Sequence, residues 1–545
     1  MIINFDQTPE SYFRLSENAL GKGELIKALQ YCEKALEGKR TAEYRLTLAE
    51  IFLKMRRNRE AMDAALSVLA QGAEHKAEVF DLMAKATTAD GKLYDSLFYV
   101  MGKAELEGDD DTLDAMDEVV DDLMGSFSEP KNRLFLVGKE EKKNYAREMD
   151  KAAFFFSAEQ FERAKETALG IPEGSDLYED AQNIVLRSET RMGDLSSAYE
   201  TAKKAVERDP KNGFALYVLI ERCGDKSFVP NLLNVGTAPP DLYFAIEAAD
   251  FAKESEIATE LADRLLKSVP YSPEAHFVAA GAYLNAGDKK RSLDILKTLF
   301  SFYKRYPASL ILKKWSRFSE VELMLGGPPP DRVIDALCSY VKKFTKRADL
   351  FTNEFLSDKD FRASVRLLLE DGGTDTAYRA CAILGESDSP KLRKFLEDRL
   401  ISTFVDQNVK REILSKLLLK KHKGKICLVP SAVLVKLDCR KPAHYEEYPE
   451  PLKVAYAEVL SFITCVFDFR CVKELSALTE ELFERDLATE KDPAVIAAAL
   501  ARVIVSENEM PFAKRPGMAE NIVRDFFELG KTQYARMLRL VSKLV

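Results

Sequence analysis

The chain has 545 residues, 46% hydrophobic and 31% charged, a composition that excludes wholesale disorder and supplies ample apolar surface for packing. A formal net charge of -9 and a pI near 5.5 disfavour sequence-independent binding to nucleic acid or anionic membrane as the main task. Eight scattered cysteines without a CxxC pair, no basic-then-apolar leader at MIINFDQTPE and no run of about 18 apolar residues together predict a cytoplasmic protein with reduced thiols.

From the N-terminus, one pattern recurs: small or aromatic residues where two helices meet, a turn residue between them, and an apolar stripe on the second helix. Tyr12, Leu15, Ala19, Gly23, Ala28, Cys32 and Ala35 fit one such unit, and Leu48, Ala49, Phe52, Ala61, Ala65 and Val68 the next. A third centres on Phe80, Ala84 and Gly91. Between Glu105 and Asp122 stand ten acidic residues and no basic one. Because Leu113, Met116, Val119, Val120 and Leu123 recur at helical spacing, this stretch reads as a helix with a solvated acidic face, and its spacing does not fit an EF-hand calcium loop.

The pattern resumes with Ala152, Phe155 and Ala164, then over 177–210 with Gly193, Ala198, Ala202, Ala205 and Pro210. Residues 213–239 keep only a first-helix-like half, which predicts a kinked or degenerate unit. The segments 240–270 and 274–307 superpose at an offset of 34 residues, matching Ala245 to Ala279, Ala249 to Tyr283, Lys253 to Gly287, Ala262 to Leu296 and Leu265 to Leu299. After Trp315 the pattern fades, and Gly326-Gly327-Pro328-Pro329-Pro330 removes donors and restricts φ. Helical patterning continues beyond it, except in 423–439, where aliphatic and β-branched runs flank Pro430-Ser431 and predict an inserted β-hairpin near 425–437.

Over residues 9–310 this spacing of small, aromatic, Gly, Ala and Pro positions resembles the tetratricopeptide repeat, and the DQNVKREILSKLL portion of 391–421 resembles the second helix of a HEAT-type repeat. The expected fold is all-α: a solenoid of tetratricopeptide-like helix-turn-helix repeats followed by a HEAT-like helical domain carrying the hairpin. The predicted layout is N-terminal repeats at 1–104, an acidic helical connector at 105–144, a second array at 145–311, a linker at 312–330 and a C-terminal helical domain at 331–545. The resemblance implies a non-catalytic scaffold or adaptor that holds a protein or peptide partner in a concave groove, with no cofactor. Carried over position by position, the groove would be lined by Asn183, Arg187, Arg191, Tyr243, Glu247, Asp250, Phe277 and Asn285. Phe13 and Glu17 stand where family members that clamp a C-terminal carboxylate carry Lys and Asn, so that mode is not predicted.

A search for chemistry yields little. The glycines complete neither a phosphate-binding loop nor a dinucleotide fingerprint, and GxSxG and HExxH are absent. Of four histidines, His276 falls on a helix-packing position. His422, Cys427, Cys439 and His444 are zinc-type residues, and a metal-dependent activity at His422 and Cys439 is the weakest reading: in a hairpin, Cys427 would lie about 16 Å along the strand from His422. Arg56-Arg57-Asn58-Arg59 and Lys289-Lys290-Arg291 read as solvated charge in inter-helix turns. The denser cluster of Lys420, Lys421, Lys423 and Lys425 is the alternative functional patch, for a phosphate, an acidic partner or nucleic acid, although it lacks the interleaved aromatics of a base-stacking platform.

Overall fold

The computed structural model describes residues 8–72, 74–116, 134–137, 140–143, 145–323, 330–371, 375–420, 425–430, 433–439, 441–467, 471–485, 490–507, 523–524 and 526–544. Within them the chain is a succession of helical hairpins, and local chemistry explains where each helix starts. Thr8, Thr41, Asp194, Asn212, Ser272 and Asp288 each accept a backbone N–H of the first turn that has no intrahelical partner. Pro9, Pro239 and Pro273 stand at helix starts, where a missing N–H costs nothing.

The turns are equally regular. Gly23, Arg56, Gly91, Glu159, Gly193, Gly224, Lys253 and Gly287 all take φ between 56° and 85°. In most of them the following residue donates its N–H five residues back, as Glu24 does to Ala19 at 2.9 Å and Glu254 to Ala249 at 2.9 Å, the closure of a Schellman motif. Successive first helices also touch, as Pro239–Ala252 touches Pro273–Asn285. This is a tetratricopeptide-like α-solenoid.

The chain divides into two compact units. The second unit comprises Ala104–Lys304 and Ala308–Asp335. It contains the hairpins Ala146–Ser157 with Phe161–Leu169, Tyr178–Met192 with Leu195–Arg208, Pro239–Ala252 with Ser255–Ser268, and Pro273–Asn285 with Lys289–Phe302. Between the second and third pairs, Gly213–Tyr217 runs into a π-turn at Val218–Arg222, and a 3-10 stretch that contains Pro230, Lys226–Asn234, replaces the second helix. The unit is therefore degenerate, as its half-pattern predicts. Trp315 is fully buried and donates from Nε1 to Ser292 Oγ at 2.8 Å, while Ser292 donates to the Ala280 carbonyl at 2.6 Å.

The acidic connector is helical over 110–116, and 117–133 lie outside the described residues. Within the stretch read from sequence as a helical connector, Leu134–Val137 and Glu140–Lys143 instead form antiparallel strands, with Leu134 opposite Lys143. LFLV followed at once by Gly138 is a strand-and-turn signal, masked in the sequence by the longer acidic run before it.

The first unit comprises Met1–Lys103, Arg305–Pro307 and Ala336–Val545, so the N-terminal repeats pack with the C-terminal helices. The predicted hairpin is present: Lys425–Leu428 pairs with Val435–Asp438, bringing Ile426 opposite Leu437 and Leu428 opposite Val435. These four side chains are buried, and their alternation with more exposed neighbours is the period-two pattern of a strand laid on a core. Val429 N–H donates to the Leu400 carbonyl at 2.9 Å, and the buried Lys410 ammonium donates to the Val429 carbonyl at 2.6 Å. The hairpin is thereby fixed to helices Pro390–Ile401 and Gln407–Leu419.

The loop after Pro390–Ile401 meets the N-terminal repeats through Asp63. Its Oδ2 accepts from Ser402 Oγ at 2.7 Å, and its Oδ1 accepts from Thr403 N at 2.6 Å and Thr403 Oγ1 at 2.8 Å. Arg59 donates to the Thr403 carbonyl at 2.7 Å and lies over the Phe404 ring. The turn Arg56-Arg57-Asn58-Arg59, read from sequence as solvated charge, is thus partly committed: Arg57 is buried against Glu60 and Phe52, and Arg59 holds the 402–404 loop.

Candidate functional site

The first-helix face of the second unit carries most of the predicted groove residues, and the structure links them in a ladder between neighbouring helices. Asn212 Nδ2 donates to Asn183 Oδ1 at 3.3 Å, the exposed Arg187 guanidinium lies 5.2 Å from the Phe214 ring centroid, and Tyr243 OH meets Ser272 Oγ at 3.5 Å. Asn285 Nδ2 donates to Asp250 Oδ1 at 2.9 Å. Arg191 is exposed in the last turn of its helix. Phe277 is corrected: only 2% exposed, its ring packs against Phe300 and Trp315 within the array instead of facing a groove.

Asn285 has a second role. Its Nδ2 donates to the Val321 carbonyl at 2.8 Å, while its Oδ1 accepts the Val321 N–H at 2.9 Å. One side-chain amide therefore satisfies both backbone groups of a residue in the non-helical stretch that follows Phe318. Val321 and Leu323 are buried, and a Cβ at Gly281 would collide with the Leu323 side chain and come within 3.0 Å of Val321. A larger residue at 281 would force the Leu323 side chain to shift. The first-helix face thus already carries a non-helical segment of its own chain, held at the backbone by Asn285 and at two side chains by the floor around Gly281.

Beside this segment the face is acidic. Glu247 is surrounded by Glu221, Glu322 and Asp250, with Arg222 as the nearby cation. Burial, then repulsion from Glu221, pushes its carboxyl up to about 8, and its Oε2 is buried without a hydrogen-bond partner. Burial likewise raises Glu221 and Asp250, opposed at Asp250 by the hydrogen bond from Asn285. Tyr217 donates from its hydroxyl to Glu221 at 3.2 Å and accepts from Arg222 Nε at 3.1 Å. Glu221 and Arg222 owe their positions to the π-turn, where Cys223 N–H reaches the Val218 carbonyl, five residues back, at 2.9 Å.

Sequence reasoning misses Glu221 and Glu322, because a π-turn and a non-helical segment stand outside any repeat register. The available signal was the unfinished half-repeat at 213–239.

The other predicted positions are not brought together here. Of the basic cluster, Lys420 is exposed and lies 3.5 Å from Asp388, Lys425 is exposed at the start of its strand, and Lys421, Lys423 and His422 lie outside the described residues. Cys427 pairs across the hairpin with Lys436 and directs its thiol at the Ala70 carbonyl, whereas Cys439 is buried and directs its own at Leu437. His444 instead joins Glu480, 2.8 Å from its Nδ1, and Glu484, with ligand-type atoms all within 4.8 Å of one another. This trio has donors suited to a cation, but the imidazole and Glu480 already form an ion pair that raises the histidine and lowers the carboxyl. His276 is buried against Phe302, its Nδ1 2.8 Å from the Ser272 carbonyl, and burial lowers its pKa.

No family model matches the chain, and no curated protein matches it. Among solved structures, yeast Tom70 is 13% identical, with 94% of this chain and 98% of that chain covered, at a TM-score of 0.25. Naa15/Naa10 bound to HypK-THB is 10% identical over 98% of this chain and 79% of that one, at 0.26. The Cut9–Hcn1 hetero-tetramer of the APC/C is 12% identical over 98% and 96%, at 0.24. Superpositions this loose carry no argument about activity or partner, and the fold assignment rests on the chain's own capped, αL-turned hairpins. Among the described residues no helix is long and apolar enough to cross a membrane.

Proposed function

We propose that the protein is a non-catalytic interaction scaffold that binds an extended peptide segment of a protein partner on the first-helix face of its second unit. The observation that carries this reading is the grip of Asn285 on both backbone groups of Val321. A face that satisfies main-chain donors and acceptors while seating alternate apolar side chains uses the chemistry by which extended peptides are recognised. The partner segment lies alongside the resident one, over Arg187, Tyr243 and Glu247, and presents a basic side chain to Glu247 and Glu221. A cation there would relieve the mutual repulsion of these carboxyls and supply the partner that Glu247 Oε2 lacks.

Affinity purification of the tagged full chain from its host, with mass spectrometry, identifies the partner. Repeating the capture with Arg187→Ala/Tyr243→Ala and with Glu247→Gln locates the site. Both variants are expected to lose the partner. Undiminished capture by the double variant would sink the assignment to this face.

A further inference from the structure

A cleft lies entirely within the first unit. Helices Leu25–Gly38, Ala42–Lys54 and Asn58–Gln71 face Pro390–Ile401 across a cleft of about 590 Å³, within the range of small-ligand sites. Its charged lining is Arg40, Arg45, Lys394 and Arg399 against Asp63 and Asp398.

The carboxylates are already engaged. Asp63 accepts three hydrogen bonds from Ser402 and Thr403, and Asp398 lies 3.0 Å from Lys394. Behind the cleft, Glu370 is shared between Arg399 at 2.5 Å and Arg305 at 2.7 Å. Arg366 adds a further guanidinium whose pKa burial and the neighbouring Arg399 push down to about 10. The Nε atoms of Arg366 and Arg399 are both buried without a hydrogen-bond partner.

At the mouth, Arg45 donates to the Ser67 carbonyl at 2.9 Å, and burial and the like charge of Arg40 depress its pKa. Arg40 is exposed. Cations therefore outnumber anions both at the mouth and at the back wall. Guanidinium, unlike carboxyl or imidazole, does not relieve such an excess by giving up its proton near neutrality. The remaining lining, including Leu48 and Ile401, is apolar.

We propose that this cleft binds a small phosphorylated ligand, its phosphoryl oxygens held by Arg40, Arg45 and Lys394 and its organic body laid against Leu48 and Ile401. Planar guanidinium forks match phosphoryl oxygens bidentately, and the apolar wall takes the part of the ligand that carries no charge.

Calorimetric titration of the full chain with ATP and with inorganic pyrophosphate tests this. Saturable one-site binding is expected for both probes, tighter for ATP because it carries a body. Arg40→Ala/Arg45→Gln is expected to weaken it at least tenfold, Arg45→Lys to weaken it less, and Lys420→Ala/Lys425→Ala to leave it unchanged. Thermal melts of the unliganded variants separate lost binding from lost folding, since Arg40 is exposed and Gln retains a donor for Ser67. Absence of saturable binding by either probe, or an unchanged Kd in the double arginine variant, overturns the site. Loss that follows Lys420 and Lys425 instead assigns the anion to the loop and overturns it equally. Pyrophosphate binding as tightly as ATP removes the apolar half of the proposal.

Discussion

In the second unit the carboxyls of Glu221, Glu247, Asp250 and Glu322 crowd one face with Arg222 as the nearby cation, whereas in the first the guanidiniums of Arg305, Arg366 and Arg399 gather around Glu370. Both arrangements gather an excess of one sign around a partly or wholly buried group, Glu247 in one and Arg366 in the other, but the chemistry of relief differs. A carboxyl can take up a proton, and burial and its acidic neighbours push Glu247 up to about 8. Arginine has no such escape. The acidic face is therefore tunable by pH, while the basic seam keeps its charge near neutrality and relies on Glu370 as counter-charge. Excess charge of one sign predicts a pH-dependent surface where it is carboxylate and a pH-independent one where it is guanidinium.

The sharpest break in this comparison is Glu370→Gln. It leaves Arg305 and Arg399 without the carboxylate they share, and by the cost of orphaning a buried charge should destabilise the first unit by about 3 kcal/mol, read from urea unfolding. An effect near zero would mean that water already screens the seam.

Next in size is Asn285→Ala, which removes two bonds to Val321 and one to Asp250. A loss of about 2 kcal/mol is expected, with faster amide exchange at Val321 in the second unit and unchanged exchange in the first.

The pH arm follows. Because the folded pKa of Glu247 is raised, its proton is retained on folding, so its contribution is fully present below the unfolded value near 4.5 and is lost as pH rises towards about 8. Glu247→Gln should flatten that fall, by about 1 to 2 kcal/mol after allowance for solvent screening. A wild-type stability profile that rises between pH 5 and 8 at this unit, with the variant parallel to it, would contradict the assignment. Smallest is Lys253→Gly, which relieves an αL strain of about 1 kcal/mol against the added backbone freedom of the unfolded chain, for a net gain of about 0.5 kcal/mol in thermal melts.

The array was legible because hairpin geometry is local. Gly23, Gly91, Gly193, Lys253 and Gly287 were readable as turn residues from spacing, and all five take the left-handed conformation. The hairpin at Lys425–Leu428 and Val435–Asp438 was equally local. What escaped depends on partners far along the chain. The repeat register puts Asn285 on a first helix, but its partner Val321 sits in a segment with no periodicity. Phe277 was read as groove-lining because the repeat register puts it there, yet Trp315 and Phe300 close over it. Nothing in any local pattern announces that Asp63 will accept hydrogen bonds from Ser402 and Thr403.

That last contact has a consequence for how the protein is made. Asp63 and Thr403 are 340 positions apart, so at ordinary synthesis rates of 5 to 20 residues per second the N-terminal repeats wait roughly 17 to 70 seconds on the ribosome for their packing partner. The side chains that later grip the 402–404 loop, Arg59 and Asp63, are charged, which keeps that part of the waiting surface hydrated while the rest of the chain emerges. Closure waits until the 402–404 loop has been made, and slowing that synthesis would prolong the exposure of a half-finished molecule to chaperones and proteases.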